Sequence, residues 1–136
     1  MKVVRMRETR MTVRSFTDLD VYKLIYKAGL LVHKEILPNL PESEKYSLYD
    51  QINRAWKAPL ALIAEGYAKK NHKKDWQLYI DRAIGKCNEM IVHLSLSRDL
   101  YEKRFKQGIC DDLIEMYNIT GKQLYRLGQS WNKNRV

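Results

Sequence analysis

Residues 76–97 read WQLYIDRAIGKCNEMIVHLSLS, and within them Trp76, Ile80, Ala83, Cys87, Met90, Leu94 and Ser97 recur at alternating steps of four and three. Side chains at those steps share one face of a helix, so this stretch predicts a long helix with one narrow apolar stripe. The same spacing appears on both sides of it. Tyr22, Ile25, Gly29, Val32 and Ile36 form one stripe, and Leu48, Ile52, Ala55, Pro59, Leu62 and Gly66 a second. Leu113, Tyr117, Thr120, Leu124, Leu127 and Trp131 form the last. Four near-heptad stripes joined by short connections predict an all-α, up-down-up-down four-helix bundle, whose helices cross at about 20°.

Local signals set the expected boundaries. Thr17 offers an oxygen to the first free amides of a helix over 18–36, and Asp18 and Asp20 place negative charge where the helix dipole favours it. Pro38 and Pro41 bracket the next connection. The second helix is expected over 42–68 as one proline-kinked rod, because Pro59 lacks an amide and its ring opposes the carbonyl of Ala55. Asn71 is the expected cap of a third helix over 73–101, and a fourth spans 110–131. Residues 1–15 then form a basic N-terminal arm, 16–132 the bundle and 133–136 a basic tail.

A chain of 136 residues supplies one core without disulfides or metal. Its two cysteines, Cys87 on a stripe and Cys110 near the last connection, lack metal-ligand spacing and read as free thiols. No stretch approaches the ~18 consecutive apolar residues of a membrane span, and the amino terminus lacks the apolar stretch of a secretory signal. The expected location is the cytoplasm, with no membrane partner.

The residues offer little to catalysis. Glu89 and His93 are four apart and read as a hydrogen-bonded pair beside the Met90 stripe, while His33 and His72 have no companion at metal-ligand spacing. No serine elbow, glycine-rich phosphate loop or inward set of carboxylates and histidines appears. Glu65, beside a core stripe, is expected to anchor the second helix through hydrogen bonds. The reading is therefore of a protein that is not an enzyme, with no cofactor, catalytic residue or metal site.

Charge is more informative. Twenty-five Lys and Arg against sixteen Asp and Glu give a net charge of +9, a field that attracts polyanions. Arg5, Arg7, Arg10 and Arg14 lie in the arm, Lys69, Lys70, Lys73 and Lys74 at the corner between the second and third helices, and Lys133 and Arg135 in the tail. In this topology those three groups share one end of the bundle, and they are the expected nucleic-acid contacts. A second group, Arg98, Lys103, Arg104 and Lys106, falls at the opposite end. The second helix also carries Tyr49, Trp56, Leu60, Ile63 and Tyr67 beside its core stripe. Together with Trp131, that second apolar face is expected to be a subunit interface, because Trp and Tyr are enriched in such surfaces.

Ser15-Phe16-Thr17-Asp18-Leu19-Asp20-Val21-Tyr22 and Ala58-Pro59-Leu60-Ala61-Leu62-Ile63-Ala64-Glu65-Gly66-Tyr67 resemble the four-helix-bundle family encoded in intervening sequences of bacterial 23S ribosomal RNA genes. Ala83-Ile84-Gly85-Lys86-Cys87-Asn88-Glu89 and Gly121-Lys122-Gln123-Leu124 continue the likeness, which covers about residues 15–131. Leu62 departs from the family's common Asn, and the arm before Ser15 has no family counterpart. The fold also resembles that of the accessory variability protein of diversity-generating retroelements. That likeness implies a homo-oligomer, a pentamer, that binds nucleic acid and partners a reverse transcriptase. The combined expectation is an oligomeric bundle that binds structured RNA or DNA-RNA hybrid through phosphates, as accessory to a reverse transcriptase. The alternative is a protein-protein interaction scaffold with no physiological nucleic-acid ligand.

Overall fold

Ser15 caps a 3-10 turn over Phe16–Asp18, and Asp18 reaches back to accept from the backbone amides of Arg14 at 2.8 Å and Ser15 at 3.2 Å. The cap is thus Ser15 rather than Thr17, whose own amide donates to the Ser15 hydroxyl. The computed structural model describes residues 13–134, with side chains through 130. Helix α1 (Asp20–Leu31) continues through a π turn over Val32–Ile36 and closes in a 3-10 turn over Leu37–Asn39, where the Asn39 side chain donates to the Glu35 carbonyl at 2.8 Å.

The second rod bends ahead of Pro59, as expected, and the bend divides it into two helical segments. A 3-10 turn over Glu42–Glu44 leads to α2 (Leu48–Ala55), the chain breaks at Trp56 and Lys57, and α3 (Ala58–Ala68) follows. Pro59 lies in the first turn of α3, and its missing amide leaves the carbonyl of Ala55, the last residue of α2, without its helical donor. The interruption therefore falls in the turn between Ala55 and the proline, where the missing bond places it. After it the buried positions are Pro59, Ile63 and Gly66, not Leu62, which is only partly buried.

Helices α4 (Lys73–Tyr101) and α5 (Ile109–Asn134) complete an all-α four-helix bundle, with no strand among the described residues. His72, not Asn71, precedes α4, and it makes no side-chain cap bond. A 3-10 turn over Glu102–Arg104 leads to Gly108, whose φ of 80° is a left-handed conformation that favours glycine, and α5 begins one residue later. α4 packs along both α5 and α3, and α1 packs on α5.

Every residue of the Trp76-to-Ser97 stripe is buried. Ile25, Val32, Ile36, Ile52, Ile63, Leu113 and Leu124 complete the core, each contributing roughly 1.5–3 kcal/mol by leaving water. Cys87 and Cys110 are free and buried, and burial pushes both thiols up to about 11. Inside the core Thr120 donates to the Tyr117 carbonyl at 2.8 Å, and Ser97 to that of His93 at 2.9 Å.

Candidate nucleic-acid interface

At the end of α3 the chain turns twice in quick succession. The Lys69 amide donates to the Gly66 carbonyl at 2.9 Å, Lys70 to Tyr67 at 3.2 Å and His72 to Lys69 at 2.9 Å. Six residues then carry four lysines around one corner. Lys69, Lys73 and Lys74 are exposed and Lys70 is partly so, and none of the four pairs with a carboxylate of the described residues.

Two of them rest on aromatic rings. The Lys70 ammonium lies 4.3 Å from the centre of the Tyr67 ring, and Lys69 lies 5.9 Å from that of Tyr79. Arg82 approaches the Tyr79 ring at 5.8 Å. A ring face attracts a cation by about 0.5–1 kcal/mol at an exposed site without neutralising it, so these contacts steady the ammonium groups and keep their charge. Lys73 and Lys74 stand in the first turn of α4, where the helix dipole disfavours positive charge and Asp75 is the compensating acid.

Arg14 belongs to the same end. Phe16, two residues on, packs edge-on to Tyr67 with ring centres 6.5 Å apart, which ties the start of the fold to the last turn of α3. Gly128 of α5 sits where an added Cβ would lie 3.2 Å from Gln77, so the last turns of α5 run beside the start of α4. Lys133 lies on those turns, though its side chain and that of Trp131 are outside the described residues, as are Arg5, Arg7, Arg10 and Arg135 altogether.

The residues expected at a subunit interface are disposed differently. Ile63 is fully buried, which corrects its placement on an outer face. Tyr49, Trp56, Leu60 and Tyr67 are partly buried and pack against the core of their own chain. Trp56 lies so close to Gly29 of α1 that any Cβ there would overlap the ring. Much of the surplus apolar surface on the second rod is thus used inside one chain. Sequence reasoning assigned Tyr67 to an interface and gave Tyr79 no role, although Tyr67 precedes Lys70 by three residues and Tyr79 precedes Arg82 by three, a helical-neighbour spacing.

Arg98 bonds Asp99 and Asp111, each at 2.8 Å, at the opposite end. Tyr101 donates to Glu44, and the Arg104 Nε donates to the Asn39 carbonyl at 3.0 Å. Lys103 and Lys106 line a cavity of about 370 Å³ there, but Glu102 and Asp111 line it too. Among the described residues no three His, Cys, Asp or Glu side chains are grouped to hold a metal. Glu89 lies 3.3 Å from both Lys86 and His93 along one helix. Glu65 is exposed and makes no hydrogen bond or ion pair with a described residue, so it is not the expected anchor. No helix among the described residues is long and apolar enough to cross a membrane.

Residues 17–126 match the model of the 23S rRNA-intervening sequence protein family. No curated protein and no solved structure matches the chain.

Proposed function

We propose that this chain, which belongs to the 23S rRNA-intervening sequence protein family, is a non-enzymatic nucleic-acid-binding bundle that grips phosphates at its lysine-bearing end. The observation that carries the reading is the set of four lysines around the α3–α4 corner without a carboxylate partner among the described residues, two of them placed against the dipole of α4. Stability alone favours acids at that position, as at α5, whose first turn holds Asp111 and Asp112. Positive charge kept against local preference marks a surface shaped for an anion.

In its fuller form the proposal has several copies of the chain presenting these corners together, a pentamer by the family likeness, as accessory to a reverse transcriptase of a diversity-generating retroelement. Repeated weak phosphate contacts then add through effective concentration. The test is a salt titration of binding to a structured RNA and to a DNA-RNA hybrid. Four lysine contacts predict a roughly 50- to 150-fold loss of affinity between about 50 and 200 mM salt. Absent or salt-insensitive binding would overturn the proposal.

A second reading has its own support. Val92, Leu96 and Leu100 are exposed at successive steps of four along α4, an apolar edge suited to a protein partner or another copy. In that reading the chain is a protein-interaction scaffold, and its charge serves solubility. Light scattering with and without RNA separates the two, because RNA changes the measured mass only under the first.

A further inference from the structure

On the flank of the bundle a groove of about 320 Å³ runs between α4 and α5, distinct from the lysine corner. Its floor is Ile84 of α4 and Gly121 of α5. An added Cβ at Gly121 meets nothing within 4 Å, so the groove is open because that position lacks a side chain. Asn88 faces it from α4, and Asn118, Lys122, Tyr125 and Arg126 face it from α5. All five of these polar residues are exposed, Tyr125 by 61%, and none bonds to or stacks on another described residue.

We infer that this groove is a subsite for one unpaired nucleotide of an RNA or DNA strand, with Tyr125 stacking on the base, Asn88 and Asn118 at its edge and Lys122 and Arg126 on the flanking phosphates. Each part has a chemical reason. An exposed tyrosine ring offers a face to a base, and stacking of this kind accepts any base. A carboxamide presents both donors and an acceptor, the complement of a base edge. Lys122 stands three residues before Tyr125 and four before Arg126, steps that keep all three on the groove side of α5, and neither cation has a carboxylate partner among the described residues. In a duplex the base faces are covered by their neighbours, so the ligand must be single-stranded at this point. The volume falls within the ~300–1,000 Å³ range of sites for small molecules. A protein partner fits less well, because Ile84 supplies little apolar surface for the core of such an interface.

The inference rests on the nucleic-acid reading and adds to it a single base as ligand. It is tested with the full chain by fluorescence anisotropy, using a single-stranded oligoribonucleotide of about ten residues, the same strand in a perfect duplex, and inorganic polyphosphate. Tyr125→Ala is expected to weaken single-strand binding about tenfold, with the salt slope and the affinities for duplex and polyphosphate unchanged. Tyr125→Phe should bind as the parent does. Gly121→Leu, which fills the groove without meeting another atom of the chain at its Cβ and raises helix propensity, should reproduce the loss with an equal or higher melting temperature.

Unchanged single-strand binding by Tyr125→Ala overturns the subsite, and if that binding still depends on the four corner lysines the general reading stands. An equal loss for all three probes also overturns it, since base stacking is then not involved. So does a loss of self-association in Tyr125→Ala with RNA binding intact, which would give the groove to a protein contact. No RNA binding by the parent chain ends both readings.

Discussion

The two ends of this bundle use charge in opposite ways. At the α4–α5 corner Arg98 lies between Asp99 and Asp111, Glu44 accepts from Tyr101 and Ser47, and α5 opens with Asp111 and Asp112 where the dipole favours acids. At the α3–α4 corner Lys69 and Lys70 lean on tyrosine rings, Lys73 and Lys74 oppose the dipole, and no carboxylate of the described residues pairs with any of the four. One end is cross-linked by side chains from segments far apart in sequence, with only Lys103 and Lys106 beside the links, while the other gathers four lysines with no ion pair among the described residues. Arg98, Arg104, Glu44 and Tyr101 at the first end already have partners. The second has capacity left over, and that asymmetry locates the proposed function better than net charge does.

The largest effect should come from removing that leftover charge. Replacing Lys69, Lys70, Lys73 and Lys74 by Gln is expected to lower the magnitude of the salt slope of RNA binding by about 3 and the affinity at low salt by two orders of magnitude or so. The melting temperature should hold or rise, because two charges unfavourable to α4 are gone. Arg98→Gln at the other end should do the reverse, lowering the melting temperature with RNA affinity nearly intact. If Arg98→Gln weakens RNA binding as much as the lysine replacements, the two ends are not functionally distinct.

A smaller effect tests the support beneath the lysine end. A Cβ on Gly66 would lie 2.8 Å from that of Tyr79, the ring beneath Lys69 and Arg82, whereas one on Gly85 meets nothing within 4 Å. Overpacking of roughly 1–3 kcal/mol, set against a helix-propensity gain of about 1, predicts that Gly66→Ala destabilises by up to about 2 kcal/mol. Gly85→Ala should stabilise by roughly 0.5–1 kcal/mol. Thermal melts of the two variants decide it, and equal melting temperatures would mean that α3 does not depend on close approach to α4.

The sequence was most legible where its period ran unbroken. The stripe from Trp76 to Ser97 is buried in its entirety, because 29 residues of continuous α4 keep its phase. The second rod was less legible. Pro59 marks the break at Trp56 and Lys57, since its missing bond is the one to Ala55, but not how far the break turns the helix, and the buried face runs through Ile63 in place of Leu62. Lys69 to Lys74 stood out by composition and position, but the tyrosines that steady them depend on how two tight turns fold back over α3 and α4. Arg5, Arg7, Arg10 and Arg135 lie outside the described residues, so the corner carries the comparison without them.

The smallest effect is also the most diagnostic of the cross-linked end. Bonds from Ser47, Tyr101 and the Leu48 amide hold the Glu44 carboxyl below its ordinary 4.5, and the Glu44 carboxylate raises Tyr101 above its ordinary 10.0. A carboxyl lowered by folding contributes stability that is complete above its unfolded value and is lost as pH falls through the folded one. A phenol raised by folding contributes stability that is complete below its unfolded value and is lost as pH rises through the folded one. Melting temperature should therefore decline at both extremes, and Glu44→Gln should flatten both declines. At the lysine end the amides of Arg14 and Ser15 lower Asp18, and no phenol is coupled to it, so Asp18→Asn should flatten only the acid side. Melting curves between about pH 2 and 11 read both limbs, and an alkaline limb unchanged in Glu44→Gln would show that Tyr101 does not fasten α4 to the Glu42–Glu44 turn.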